Sequence, residues 1–265
     1  MANTARIGLI GLGYVGRYVY EQIASRPELG LEVAFVHELA AERLSDIPAE
    51  LVLPEIKDFA ARHPDLVVEM AHPAVTRNCG EAFLARADYM PLSMTAFADE
   101  ALQQRLLQTA RDNGNCLFVP HGAAVGLENI FEGRELWEEV GVLMKKHPRN
   151  LDFAAAPQFQ PARITKPTVL YEGPTRGICP LFPRNVNTHA TVALAGIGFD
   201  RTRSVLIADP SLDVSVIEIT ARGQGAAMRI ERSNPLKGVS GVFTLHSTLA
   251  AIAKAKGARG ALQIC

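Results

Sequence analysis

The sequence predicts a two-part fold, an α/β unit with a parallel sheet followed by an α+β unit, on three observations. The first 120 or so residues alternate short β-type runs with longer helical patterns, the pattern of a parallel sheet covered by helices on both faces. Beyond Pro120 the alternation stops, and three strand-like runs cluster between Ser204 and Ile230, as in an α+β unit with an antiparallel or mixed sheet. The length of 265 residues, 48% of them apolar, suffices for two modest cores.

Taken in order, Ala5 to Ile10, Leu31 to Val36, Asp65 to Met70, Asp88 to Leu92 and Cys116 to Val119 are the first strands. Between them Tyr14 to Ser25, Ala74 to Ala85 and Ala98 to Asp112 form helices, the last with Leu102, Leu106, Leu107 and Ala110 at helical spacing. Val140, Val142 and Met144 alternate with Gly141, Leu143 and Lys145, which predicts a strand. A proline-rich passage then runs from Pro148 to Pro183, and a helix from about Pro183 or Arg184 to Ala195 stops before Gly196 and Gly198. Runs at Ser204 to Ala208, Ser215 to Thr220 and Ala227 to Ile230 are strands, and Val242 to Lys254 is an apolar helix. Asn234 to Gly241 reads as the linker to that helix. Trp137, Tyr14 and His246 are expected to be structural.

Composition excludes several classes. Lys plus Arg number 27 against 28 Asp plus Glu, a net charge of -1, so the basic surplus that phosphate backbones demand is missing. No nucleic-acid or membrane partner is expected. The N-terminus lacks the basic and apolar regions of a signal peptide, and no run reaches the ~18 apolar residues of a spanning helix. Cys79, Cys116, Cys179 and Cys265 form no C-x-x-C pair, so no metal site is expected. Reduced thiols in a cytoplasmic protein are the expectation.

Gly11-Leu12-Gly13-Tyr14-Val15-Gly16 directly follows the first strand and opens the first helix. Glycine there permits a tight turn, close approach of a pyrophosphate and close helix–strand contact, while helix amides hydrogen-bond phosphate. This context makes G-x-G-x-x-G the fingerprint of a Rossmann dinucleotide-binding domain. Gly11, Gly13, Tyr14, Val15 and Gly16 are the cofactor candidates. Glu38, at the end of the second strand and 22 residues beyond Gly16, suits adenosine ribose hydroxyls and repels a 2′-phosphate. NAD is therefore expected, with NADP possible.

Further motifs follow in order: Asp65 to Ala71 (D-L-V-V-E-M-A), Val119-Pro120-His121-Gly122-Ala123, Phe182-Pro183-Arg184-Asn185-Val186-Asn187, Leu194 to Asp200 (L-A-G-I-G-F-D) and Ala208-Asp209-Pro210. Together they resemble the L-aspartate dehydrogenase family from the first strand to about Pro235. The resemblance implies NAD(P)-dependent oxidation of the amine carbon of L-aspartate to iminosuccinate, which water converts to oxaloacetate, or the reverse. It implies a cofactor domain over 1–120, with the C-terminal helix of 241–265 packing back on it, and an α+β substrate and dimerisation domain over 121–240. A homodimer follows from the same resemblance. By motif, Ala123 and Asn187 would line the nicotinamide pocket and Ala71 would sit near the dinucleotide.

Amine oxidation needs a proton acceptor, for which histidine suits neutral pH. The family's histidine position is Ser215 here, and a serine hydroxyl cannot serve as that base. His121 and His189 flank segments expected at the nicotinamide and are the catalytic candidates. Arg176, Lys145 and Arg163 are the candidate cations for substrate carboxylates, with solvated surface roles as the competing reading. The alternatives are an oxidoreductase of the same fold for another imine or carbonyl, and a non-catalytic dinucleotide-binding protein.

Overall fold

The computed structural model describes residues 4–235 and 241–258. The chain divides into two compact units: 1–93 with 101–120 and 244–265, and 94–100 with 121–243.

In the first unit, β1 (Ala5–Ile10), α1 (Tyr14–Ser25), β2 (Leu31–His37), β3 (Leu66–Glu69), α2 (Pro73–Leu84), β4 (Asp88–Pro91) and α3 (Glu100–Asn113) follow one another. The strands form a parallel sheet in the order β2-β1-β3-β4, with Ala5 beside Leu31, Ile7 beside Leu66 and Val67 beside Tyr89. The expected strand at Cys116 to Val119 is reduced to a single bridge between Leu117 and Tyr89. Helix α1 buries Gly16, Val19 and Ile23 at helical spacing and ends before Pro27, which cannot continue it. Pro73 occupies the first turn of α2, where its missing N–H costs nothing, and His72 caps that turn by accepting from the Ala74 amide at 3.1 Å.

The second unit contains α4 (Leu127–Glu132), β5 (Trp137–Lys146), β6 (Thr168–Pro174), α5 (Thr175–Ile178), α6 (Asn187–Ala195), β7 (Arg203–Ala208), β8 (Val214–Gly223) and β9 (Ala226–Pro235). Its mixed sheet runs β6-β7-β5-β8-β9, with only β5 and β7 parallel. Strand β6 lies inside the proline-rich passage, where no strand is expected from sequence. It is an edge strand closed by Pro174, a place where a missing N–H breaks no ladder. Helix α6 begins at Asn187, later than Pro183 or Arg184. It is buried on nearly all sides, from Thr188 to Ala193 and at Ala195, and so forms the centre of this unit.

The last helix, α7 (Val242–Lys256), places Leu249 and Ile252 in one apolar cluster with Ile7, Leu9, Val19, Ile23 and Leu66 of the first unit. Burying two such side chains is worth about 1.5–3 kcal/mol each. His246 bonds the Tyr18 hydroxyl at 3.0 Å, and the buried Trp137 indole donates to the Ile130 carbonyl at 3.1 Å. Tyr14 departs from the packing role expected of it, being 43% exposed. Cys79, Cys116 and Cys179 are thiols outside any disulfide, and that of Cys179 donates to the Thr175 carbonyl at 3.2 Å. Cys265, the linker residues 236–240 and the last part of the expected 241–265 helix lie outside the described residues. Among those described, no helix is long and apolar enough to cross a membrane.

Candidate functional site

At the carboxyl end of β1 the chain must turn sharply, and Gly11 does so with φ 89° while its amide donates to the His37 carbonyl at 2.8 Å. A β-carbon at Gly11 would come within 2.9 Å of the Ala71 Cβ, and one at Gly16 within 2.0 Å of the Gly11 carbonyl oxygen. Backbone therefore occupies the space that side chains would need. Gly13 is the N-cap of α1 and offers no side-chain acceptor, and the first turn carries no acidic residue. The Tyr14, Val15 and Gly16 amides open a twelve-residue helix whose positive dipole end favours an anion. β1 also sits where the sheet order reverses, with β2 on one side and β3 on the other, which is where such sheets bind ligands. The residues fit a dinucleotide pyrophosphate.

Glu38 braces this loop. Its Oε2 accepts from the Leu12 amide at 2.8 Å and from Arg43 at 3.2 Å, and its Oε1 accepts from the Leu39 and Ala40 amides at 2.8 and 3.0 Å. Burial works to raise its carboxyl pKa, but the donors at Ala40, Leu12 and Arg43 outweigh burial and hold it below the ordinary value. The buried Glu69 fixes the neighbouring loop, accepting from the amides of Ala71 and His72 at 2.7 Å and from the Ser93 hydroxyl at 2.9 Å. Burial dominates at Glu69 and raises its pKa. Glu69 thereby sets the position of Ala71 against Gly11.

In the second unit Asn187 stands in the first turn of α6, its Oδ1 accepting from the Thr95 amide at 3.3 Å. Ala123 lies in the turn that Gly122 makes with φ 53°. His121, in the same turn, has a side chain 40% exposed, with its Nε2 3.8 Å from Glu128. His189 is wholly buried on α6, and its Nδ1 lies 2.9 Å from the Ser204 hydroxyl. Thr175 donates to the Thr202 carbonyl and lies 2.7 Å from Ser204. With the Thr175 proton so committed, Ser204 donates to Thr175 and accepts from His189, which puts the imidazole proton on Nδ1 and leaves the Nε2 lone pair bare. Burial, then the charge of Lys146, pushes the His189 pKa down to about 3. Ser215 is buried at β8.

The candidate cations do not converge. Arg176 is committed to Asp200, at 2.7 Å through Nε and 2.6 Å through Nη2, and also donates to the Ala98 carbonyl. Arg163 is exposed in the turn Pro161–Arg163. Lys145 is partly exposed on the face of β5 opposite to Val140, Val142 and Met144, whereas its neighbour Lys146 shares their buried face. Lys146 and Arg232, both absent from the sequence-based selection, are the cations on that inner face. The signal was the period of two that buries every second residue of β5.

Comparison with known proteins agrees with both halves. Residues 11–120 match the family described as "Homoserine dehydrogenase, NAD binding domain", and residues 132–255 match "Aspartate dehydrogenase, C-terminal". The chain is 36% identical to an aspartate dehydrogenase domain-containing protein of Xenopus tropicalis, covering 98% of each chain. It is 33% identical to an L-aspartate dehydrogenase of Methanosarcina acetivorans, over 92% of this chain and 97% of the relative. The crystal structure of the Thermotoga maritima aspartate dehydrogenase shares its fold, with TM-score 0.77 and 21% identity over 98% of this chain and 99% of that one. With a glycine cradle built for a dinucleotide and full-length kinship on both sides, the chain belongs to the aspartate dehydrogenase family and is an NAD(P)-dependent oxidoreductase acting on an amino donor.

Proposed function

We propose that the protein oxidises the amine carbon of L-aspartate. The observation that carries this reading is its alignment, over 92–93% of its length, with proteins named L-aspartate dehydrogenase, joined to the glycine turn at Gly11 to Gly16. A dinucleotide held there would supply the hydride-accepting chemistry that oxidation of the amine carbon needs. The amine gives up a proton, and water then releases ammonia from iminosuccinate to leave oxaloacetate. Gly11, Gly13, Gly16 and the α1 amides would hold the pyrophosphate, Glu38 the adenosine ribose, and Ala71, Ala123 and Asn187 the dinucleotide beyond it.

Of the two histidines, His121 is the better candidate, because its side chain is reached by solvent while burial keeps His189 neutral near pH 7. His121→Ala is expected to lower kcat by about 10²-fold or more, with a smaller effect on KM. The assay is NAD reduction with L-aspartate, and NADH consumption with oxaloacetate plus ammonia. No turnover across a panel of keto acids, with dinucleotide still bound, would instead favour a non-catalytic binding protein.

NAD is the preferred dinucleotide in this reading, since the Glu38 carboxylate repels a 2′-phosphate. Arg43, held on Glu38, is freed to meet that phosphate in Glu38→Gln, so the ratio of NADP to NAD affinity should rise by roughly tenfold, equivalent to ~1.4 kcal/mol. Titration of both dinucleotides measures it. A homodimer is also proposed. Leu143 pairs with Val205 on the sheet face opposite α6, and the nearby Ile207 and Val216 are likewise only partly covered. Light scattering on the eluting protein should give twice the chain mass.

A further inference from the structure

The inner face of the second unit's sheet changes character at one end. Through most of its length it is apolar, with Val140, Val142 and Met144 on β5, Leu206 on β7, and Ile217 and Ile219 on β8. At the end of β5 it becomes polar. Lys146 pairs with Ala208 of β7 on one side, and on the other it lies one residue beyond the pair Lys145–Val216, which sets it beside Ser215. Ser215 in turn pairs with Asn234 of β9, and Arg232 is opposite Ile217 on the same face. His189 reaches this row from α6, close enough for the Lys146 charge to act on it.

Several of these groups are unsatisfied. Among the described residues, Arg232 Nε and Nη1, Ser215 Oγ, Asn234 Oδ1 and His189 Nε2 are buried with no hydrogen-bond partner. Folded proteins rarely leave such groups unpaired, and a half-buried guanidinium without an anion beside it is costly. The acids on the adjoining strands do not answer it, because Glu218 and Glu231 face the other way and hold Arg229. The Arg232 guanidinium carbon lies over the Phe243 ring, 5.6 Å from its centroid. Burial, then the Arg232 charge, pushes the Lys146 pKa down to about 8, as expected of two cations crowded together. Four strands and a helix thus bring two cations and several unpaired hydrogen-bonding groups together at one end of the sheet.

We infer that this row is the carboxylate cradle of the substrate site, in which Arg232 and Lys146 hold the carboxylates of a small dicarboxylic amino acid and Ser215 donates to one of them. The cradle restricts the enzyme to dianionic substrates. It replaces Arg176, Lys145 and Arg163 as the source of that selectivity, and it rests on the reading that the substrate is a small amino acid.

The test uses succinate, which has both carboxylates and no amine, so binding is read without turnover. Calorimetric titration into the full-length protein should detect succinate, and acetate at the same ionic strength should not compete. Arg232→Met and Lys146→Met should each weaken succinate binding at least tenfold, and Arg232→Met should also raise the thermal midpoint without ligand, since it removes a half-buried cation with no anion beside it. Undiminished succinate binding in Arg232→Met, or equal competition by acetate, overturns the cradle. If a methionine variant fails to fold, Arg232→Lys decides, because it keeps the charge but moves the donors. Unchanged affinity there is equally fatal. The two failures separate cleanly. Aspartate turnover with succinate binding insensitive to Arg232 removes the cradle and keeps the reaction, whereas Arg232-dependent succinate binding without aspartate turnover keeps the cradle and removes the reaction.

Discussion

Gly16→Ala is expected to weaken dinucleotide binding by about 100-fold or more. The added methyl would lie 2.0 Å from the Gly11 carbonyl oxygen and 3.0 Å from its carbon, and both are backbone atoms of a loop that cannot retreat. Gly11 already occupies the left-handed region at φ 89°, its amide is tied to the His37 carbonyl, and Ala71 closes the other side. Relief requires α1 to move off β1, which takes the Tyr14 and Val15 amides away from the pyrophosphate. A loss of about 100-fold or more in NAD affinity, near 3 kcal/mol, is expected from titration. Far-ultraviolet circular dichroism should remain close to that of the parent, because the rest of the sheet does not depend on that contact. Retained affinity would show that the phosphates bind elsewhere.

His189 should make the protein acid-sensitive. Its pKa is about 3 in the folded chain against an ordinary 6.5, so between those values the unfolded chain holds a proton that the folded chain does not. Stability is therefore full above about pH 6.5 and falls as the pH drops toward 3, by roughly 1.4 kcal/mol per pH unit at most. Lys146 acts in a separate window. Its folded value of about 8 lies below the ordinary 10.5, so stability rises as the pH climbs through that interval. His189→Met keeps the volume while removing the titration. Urea midpoints measured from pH 7 to pH 4 should flatten in that variant, and the alkaline rise should persist. An unchanged acid limb would assign acid lability to other groups.

These residues also show what could be read without coordinates. The glycine turn and the strand–helix order of the first unit were legible because each is a local pattern, and β1 and α1 have the bounds read from sequence. The second unit was harder because its sheet is mixed and its neighbours are distant along the chain. Strand β6 hid among prolines that an edge strand tolerates. The alternation of Val140, Val142 and Met144 already put Lys145 outward and Lys146 inward, yet a lysine on a core face runs against the usual preference for exposure. Only the register joining Ser215 to Asn234 reveals what that lysine meets. Arg176 misled for the opposite reason, since its partner Asp200 lies in a loop with no periodicity to place it.

The first unit is assembled from three stretches of chain, and its last stretch comes after the whole of the second. Leu249 and Ile252 belong to the same cluster as Ile7 and Leu9, which are nearly as far from them in sequence as this chain allows. During synthesis, the nucleotide-binding sheet therefore leaves the ribosome with one side of its core uncovered and waits for the final helix. The second unit has no such wait, because apart from 94–100 it is one continuous stretch. Order of emergence and order of completion are thus reversed: the unit made first is finished last. Until then the exposed apolar surface on that sheet is what a chaperone would recognise.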